Sequence, residues 1–126
     1  MHITKHDIPV KIDAPGAVAR QQTDFGAAFG VMGAEYFTMA KGADLAPLLE
    51  GLRGDMCDSA HWGYVINGAV TVTYADGTLE QCATGDVFHW PAGHSVRVEE
   101  DADLVLFSPQ SEHTPVIEHI KQKMGV

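Results

Sequence analysis

The sequence predicts an all-β sandwich or barrel that ends in a short C-terminal helix. Segments of roughly four to six residues, rich in valine, tyrosine and threonine, are separated by turn signals about every eight to twelve residues. In one of these segments Val70, Val72 and Tyr74 alternate with threonines. Because successive side chains of a strand point to opposite faces, this alternation predicts a strand with one buried face.

Before residue 60 the pattern is less regular. Residues 45–52 have apolar side chains at helical spacing. Pro47 and Gly51 limit this segment to one or two helical turns, because proline and glycine both disfavour a helix interior. Lys41 and Gly42 end a strand rich in aromatic and β-branched residues. The predicted elements are strands at residues 10–12, 18–22 and 35–40, a loop at 26–33 and the short helical segment at 45–52.

After residue 60 the strand pattern becomes regular. Asn67-Gly68 predicts a hairpin, since both central residues of a type I′ turn need positive φ. Asp76-Gly77 predicts the next turn, residues 101–103 a further one, and the segment after Pro115 a helix over residues 116–124. The predicted strands are residues 64–66, 69–74, 79–82, 87–90, 96–99 and 104–107.

Length and charge limit the classes of function. A chain of 126 residues fits one domain, 1–126, that can bury its own core. A formal charge of −9 with scattered basic residues argues against partners such as nucleic acid or an anionic membrane. The first residues contain no apolar signal segment and no apolar run is long enough to span a bilayer, so we expect a cytoplasmic protein.

The two cysteines are too few for a disulfide framework. In a reducing compartment Cys57 and Cys82 are expected to be free thiols, and a bridge between them is the less favoured alternative. No phosphate-binding loop, Rossmann fingerprint or Gly-x-Ser-x-Gly elbow is present.

The stretch from Asp55 to Gly68 resembles the first motif of the cupin superfamily, which are small jelly-roll β-barrels. That motif runs His-x-His, three or four residues, Glu, six residues, Gly. Aligned on Gly68, it puts His61 at the glutamate position, Cys57 at the second histidine and Asp55 at the first. The string Cys-x-x-x-His-Trp-Gly-Tyr-Val is also similar to a subgroup of small bacterial cupins.

The second cupin motif, Gly-x5-Pro-x-Gly-x2-His, is matched at Gly85, Pro91 and Gly93. Val96 occupies its histidine position, and His94 lies two residues earlier. The resemblance covers about residues 35–109. It implies a jelly-roll barrel with a small-molecule site inside, and a homodimer formed through edge strands.

Three residues are candidate metal ligands: His61, His94 and Cys57. Strand periodicity places His61, Gly63 and Val65 on one face, and the motif alignment puts that face inside the barrel, where Gly63 would leave space for a bound group. Cys57 lies two steps earlier in the same alternation. A hydrogen-bonded core histidine, an inert buried thiol and an exposed loop histidine are the respective alternatives.

A thiolate with two imidazoles favours zinc, with iron, nickel, copper or manganese as alternatives. His89 and Asp55 are candidate proton-transfer groups, and Asp55 is also a candidate fourth ligand. Cys82 is expected to be an inert thiol. The histidines in the terminal segments are expected to be solvated, namely His2, His6, His113 and His119.

Two functions follow from these residues. The first is metal-assisted chemistry on a small organic substrate, in which an open coordination position polarises a carbonyl or activates water. The second is a non-catalytic ligand-binding or sensing module. The fold alone does not choose between them, because function depends on the site.

Overall fold

Eight antiparallel strands surround an apolar core in the computed structural model, which describes residues 1–126. The strands are Val10–Ala14 (β1), Ala17–Gln22 (β2), Ala27–Ala28 (β3), Gly30–Met39 (β4), His61–Tyr74 (β5), Leu79–Ala83 (β6), Val87–Trp90 (β7) and His94–Pro109 (β8). The helices are Ala46–Leu49 (α1) and Gln110–Met124 (α2). The predicted all-β class with a C-terminal helix is confirmed.

The two longest strands, β5 and β8, organise the barrel. The sheet order is β1-β2-β4-β8-β5-β6, with β3 added to β4 and β7 added to β5. The inward side chains of β5 and β8 alternate with outward ones, and Val65, Val70, Val98, Leu104 and Leu106 are at most 1% exposed. This apolar face drives the sheet to close around its interior.

The predicted hairpin at Asn67-Gly68 is wrong, because β5 continues through these residues as one strand. Only Gly68 has positive φ, 95°, whereas a type I′ turn needs positive φ at both positions. The pairing between β5 and β8 shifts register around Gly68. The glycine therefore forms a β-bulge that bends the strand and does not reverse it.

The predicted turn at residues 101–103 is also wrong. β8 runs through it, with Ala102 and Asp103 paired to Met39 and Thr38 of β4. Asp103 accepts a hydrogen bond from the Thr38 hydroxyl at 2.7 Å. Aspartate favours turns in general, but Asp101 and Asp103 are here outward residues of the continuous strand β8.

Helix α2 begins at Gln110, earlier than predicted, and contains Pro115. The proline is on the exposed side near the N-terminal end, where the loss of one backbone donor affects few helical bonds. The buried residues of α2 recur at helical spacing: Gln110, His113, Val116, Ile117 and Ile120. The helix therefore packs one face against the barrel. No helix in the chain has the combination of length and hydropathy that crossing a membrane requires.

Candidate metal centre

Three side chains that can bind a metal meet inside the barrel beneath α2. Cys57, His61 and His94 have ligand atoms within 4.8 Å of one another, and none of the three residues is more than 6% exposed. These are the three residues that the sequence identifies as candidate ligands. The structure therefore brings the set together, with His94 turned inward.

Backbone pairing holds the three residues in place. His61 begins β5 and His94 begins β8. Cys57 forms an isolated antiparallel bridge with His94, in which the Cys57 N–H donates to the His94 carbonyl at 2.8 Å. Gly93 N–H donates to the Cys57 carbonyl, also at 2.8 Å. The thiol and the imidazole of His94 are thus fixed relative to each other by the main chain.

The hydrogen bonds of the two histidines assign their tautomers. His94 Nδ1 donates to the Pro91 carbonyl at 2.7 Å, since a carbonyl oxygen only accepts. The Ser108 hydroxyl donates to Glu35 Oε1 at 2.5 Å, so it accepts from His61 Nδ1 at 2.6 Å. Both rings therefore have Nδ1 occupied and present the lone pair of Nε2, which is the arrangement that metal-binding histidines use.

The separation of two of the donor atoms fits a tetrahedral ion. Cys57 Sγ and His61 Nε2 are 3.4 Å apart. Zn–S and Zn–N bonds of about 2.3 and 2.0–2.1 Å at a tetrahedral angle separate the two ligand atoms by about 3.5 Å. The donor types and the spacing of this pair are thus compatible with a zinc-like ion.

Beside these ligands lies a buried polar network centred on Glu35, which is 0% exposed. One carboxylate oxygen accepts from Ser108, and the other accepts from Gln21 Nε2 at 3.0 Å and from His113 Nδ1 at 2.5 Å. Gln21 also donates to Gln110 Oε1 at 3.0 Å. The network joins His61 on β5 to helix α2 through a single carboxylate on β4.

A second cluster of potential ligands, Glu35, His61 and His113, shares His61 with the first. Its atoms are arranged for hydrogen bonding, because 2.5 Å between His113 Nδ1 and Glu35 Oε2 is about 1 Å shorter than the separation of two ligands on one tetrahedral ion. We therefore interpret Glu35 and His113 as hydrogen-bonding partners of the candidate ligands and not as candidate ligands themselves.

The network shifts the ionisation of its members. Burial alone would raise the pKa of Glu35, but the charge and hydrogen bond of His113 outweigh it and lower that pKa. Burial likewise opposes the charged form of His113, yet the Glu35 carboxylate raises the pKa of His113 to about 10. The two side chains are therefore a buried ion pair.

The thiol is shifted toward the thiolate. Burial would raise the pKa of Cys57, but the three surrounding imidazoles, His113 first and then His61 and His94, take it well below its usual value. The pKa of His61 is lowered, first by burial and then by the charge of His113. A thiolate beside a neutral imidazole is the protonation state that binds metal.

A small cavity of about 40 Å³ adjoins the three candidate ligands. Its wall is mainly apolar, and its polar side chains are Cys57, His61, His94, His113 and Ser95. Residues of β4, β8, α1 and α2 form the apolar wall, including Phe37, Met39, Leu49, Leu104, Ile117 and Ile120. The centre thus lies at the polar side of a narrow apolar space.

The two candidate proton-transfer groups lie elsewhere. His89 is exposed on the outer face of β7 and stacks on Trp62 with ring centroids 4.7 Å apart. Asp55 is exposed and accepts from the Gly51 N–H at 2.9 Å. The space expected beside Gly63 is filled by the ring of Phe88. Neither His89 nor Asp55 lines the cavity.

The prediction that His113 is solvated is wrong, because it is 3% exposed and bonded to Glu35. The sequence does indicate this burial if the helix is taken to begin before Pro115, because His113 then lies on the same helical face as Val116, Ile117 and Ile120. His2 and His6 are exposed as predicted. His119 is half-buried and its Nε2 bonds the Glu50 carbonyl at 2.7 Å.

Solved structures with this fold include several enzymes. No family model matches the sequence, and no curated protein matches it. An RmlC-like cupin from Shewanella frigidimarina is 16% identical over 89% of this chain and 93% of its own, with a TM-score of 0.58. Oxalate decarboxylase from Bacillus subtilis, described with Mn(II) centres, is 21% identical over 84% of this chain, with a TM-score of 0.58.

A salicylate 1,2-dioxygenase variant from Pseudoaminobacter salicylatoxidans, in complex with gentisate, is 20% identical over 82% of this chain, with a TM-score of 0.55. This chain spans only 28% of the dioxygenase and 28% of the decarboxylase. At these identities the likeness concerns the fold. The fold is the cupin jelly roll, as the sequence motifs predicted.

Proposed function

We propose that this chain is a metal-binding cupin in which Cys57, His61 and His94 hold one divalent ion beside the small cavity. The observation that carries the proposal is the convergence of one thiol and two imidazole Nε2 atoms whose Nδ1 atoms are already occupied. Two of these donor atoms, Cys57 Sγ and His61 Nε2, are 3.4 Å apart, a separation compatible with two ligands of one ion.

Zinc is the ion that we propose, because thiolate and imidazole together favour it over the hard ions that prefer oxygen ligands. The Mn(II) of oxalate decarboxylase belongs to a different protein, and a cysteine ligand is poorly suited to manganese. Iron, nickel and copper are the alternatives. We further propose a cytoplasmic location, since both cysteines are free and Cys57 must stay reduced to bind metal.

Three protein ligands leave one position of a tetrahedral ion for a small molecule. The ion would supply a Lewis acid there, able to polarise a carbonyl or activate water. Glu35 and Ser108 orient His61, and the apolar wall excludes bulk water. We propose metal-assisted chemistry on a small molecule as the function of this site.

Reversible binding without catalysis is the second candidate. It is favoured by the positions of His89 and Asp55, since neither candidate proton-transfer group lines the cavity. A protein that holds its metal and binds small ligands without converting them would support this candidate.

The proposed centre is tested by metal content. Elemental analysis of purified protein is expected to give about one divalent ion per chain. His61→Ala, His94→Ala and Cys57→Ala should each lower that content at least about tenfold. Cobalt substitution should give a sulfur-to-metal charge-transfer band that Cys57→Ser removes.

Two variants serve as matched controls. Cys82→Ala removes the other buried thiol, and His89→Ala removes an imidazole outside the barrel; both should retain the metal. Full metal content in both Cys57→Ala and His61→Ala would show that the ligand set is wrong.

A partner is also proposed. The outer face of β5, β7 and β8, with Phe29 from the turn between β3 and β4, forms an outer aromatic surface, which we define as Phe29, Trp62, Tyr64, Val87, His89 and Phe107. We propose that a second copy of this chain covers it. The surface contains no acidic or basic residue other than His89, so it suits a self-complementary apolar contact.

A further inference from the structure

The cavity beside the proposed metal is too small for a ring compound. An engineered apolar cavity of about 150 Å³ holds benzene, whereas about 10–15 Å³ holds one water. The space here is about 40 Å³, so it has room for about three water-sized groups. A bound metal takes part of that room.

A second apolar cavity of about 60 Å³ lies next to the first. The two cavities share five lining residues, Phe37, Met39, Leu45, Ile117 and Ile120. These side chains are therefore the wall between them. Without part of this wall, the joined space would reach at least about 100 Å³.

Ile117 has a defined place in that wall. It follows His113 by one helical turn on the buried face of α2, and it is 2% exposed. His113 packs against His61 with ring centroids 4.5 Å apart. Ile117 thus belongs to the same helix face that covers the candidate ligands. Phe37 on β4 lines both cavities as Ile117 does, and its ring is 6.2 Å from that of His113.

We propose that the free position of the metal accepts ligands of two or three non-hydrogen atoms and excludes rings, and that Ile117 and Phe37 set this limit. The inference rests on the proposed metal centre and narrows its substrate class. Diatomic and triatomic molecules fit the space. A gentisate-sized ligand does not fit.

The test uses the cobalt-loaded full chain, with azide as the three-atom probe and imidazole as the ring probe. Binding of each probe is measured by the change in the visible spectrum of the cobalt ion. Azide is expected to shift the cobalt spectrum of the wild type, and imidazole at the same concentrations is not. In Ile117→Ala the joined cavity should admit imidazole, with a gain in affinity of at least about tenfold.

Leu48 provides the matched control. It lines only the second cavity, so Leu48→Ala enlarges that space and leaves the wall intact. This variant should still exclude imidazole. If Ile117→Ala does not fold or does not bind cobalt, Phe37→Leu and Ile117→Val thin the same wall more mildly. The same comparison of azide and imidazole binding then tests the size limit in these two variants.

The outcomes separate the two levels of the proposal. Failure of the wild type to bind cobalt would overturn the metal centre and the size limit together. If the wild type binds cobalt but also binds imidazole as tightly as Ile117→Ala does, the size limit alone is overturned. A cobalt-loaded wild type that binds neither azide nor imidazole would overturn it as well.

Discussion

At the scale of the residue, Glu35 connects the proposed metal centre to the helix that covers it. Its carboxylate accepts hydrogen bonds from Ser108, Gln21 and His113, and no part of it is exposed. A buried charge is tolerated only where it is paired and hydrogen-bonded. The residue therefore stabilises the fold only as long as all its partners are present.

Glu35→Gln should destabilise the protein strongly. The amide leaves the imidazolium of His113 buried without its counter-charge, and breaking one partner of a buried pair costs about 3–5 kcal/mol. Urea denaturation of the metal-free protein measures the loss. Glu99→Gln, which removes an exposed carboxylate paired with Arg97, is the control and should change the stability far less. A loss in Glu35→Gln no larger than in the control would refute the ion pair.

At the scale of the element, the sequence predicted strands better than it predicted their connections. The predicted strands at residues 64–66 and 69–74 both lie within β5, but Asn67-Gly68 between them was predicted to be a turn. Positive φ at a glycine is common to hairpins and bulges, and only the partner strand distinguishes them. Here that partner is the backbone of β8, more than thirty residues away in the sequence.

Gly68→Ala tests the bulge. A Cβ at Gly68 would come within 2.1 Å of the Asp101 carbonyl oxygen, so β8 would have to move. Gly77 is the control, because it also has positive φ, 85°, and nothing lies within 4 Å of the position of a Cβ there. Gly77→Ala should cost about 1–2 kcal/mol from φ alone. Gly68→Ala should lose a few kcal/mol more, because backbone must move as well; equal losses in thermal or urea denaturation would contradict the close approach.

At the scale of the whole molecule, the candidate site was only partly readable from the sequence. Cys57 and His61 fall on ligand positions of the first motif, and His94 lies two residues before the histidine position of the second. Glu35 and His113 come from β4 and α2, and no local pattern links residues so distant in the chain. Glu35 was predicted only as the first residue of a strand over residues 35–40, and its partners became evident only from tertiary packing.

The outer aromatic surface is the other feature that belongs to the whole molecule. Trp62 pairs with Phe107 of β8 and His89 of β7, and Tyr64 pairs with Val87, so the exposed side chains form adjacent rows on one sheet face. Phe29 stacks on Trp62 with centroids 5.4 Å apart although it is itself 67% exposed. Tyr64, Val87 and Phe107 are also exposed, so these residues form a contiguous apolar patch of the kind that marks an interaction surface.

The proposed dimer predicts that a charge on this surface separates the copies. Val87 is 83% exposed, so Val87→Asp should not disturb the fold, and a pair of buried carboxylates across a two-fold contact is costly. Light scattering after gel filtration should give twice the mass of one chain for the wild type and a single-chain mass for Val87→Asp and Phe29→Asp.

Leu79→Asp is the control, because Leu79 is 67% exposed on β6, away from the outer aromatic surface, and the variant should remain dimeric. A monomeric wild type at high micromolar concentration, or dimeric Val87→Asp and Phe29→Asp variants, would exclude this face as the contact between copies.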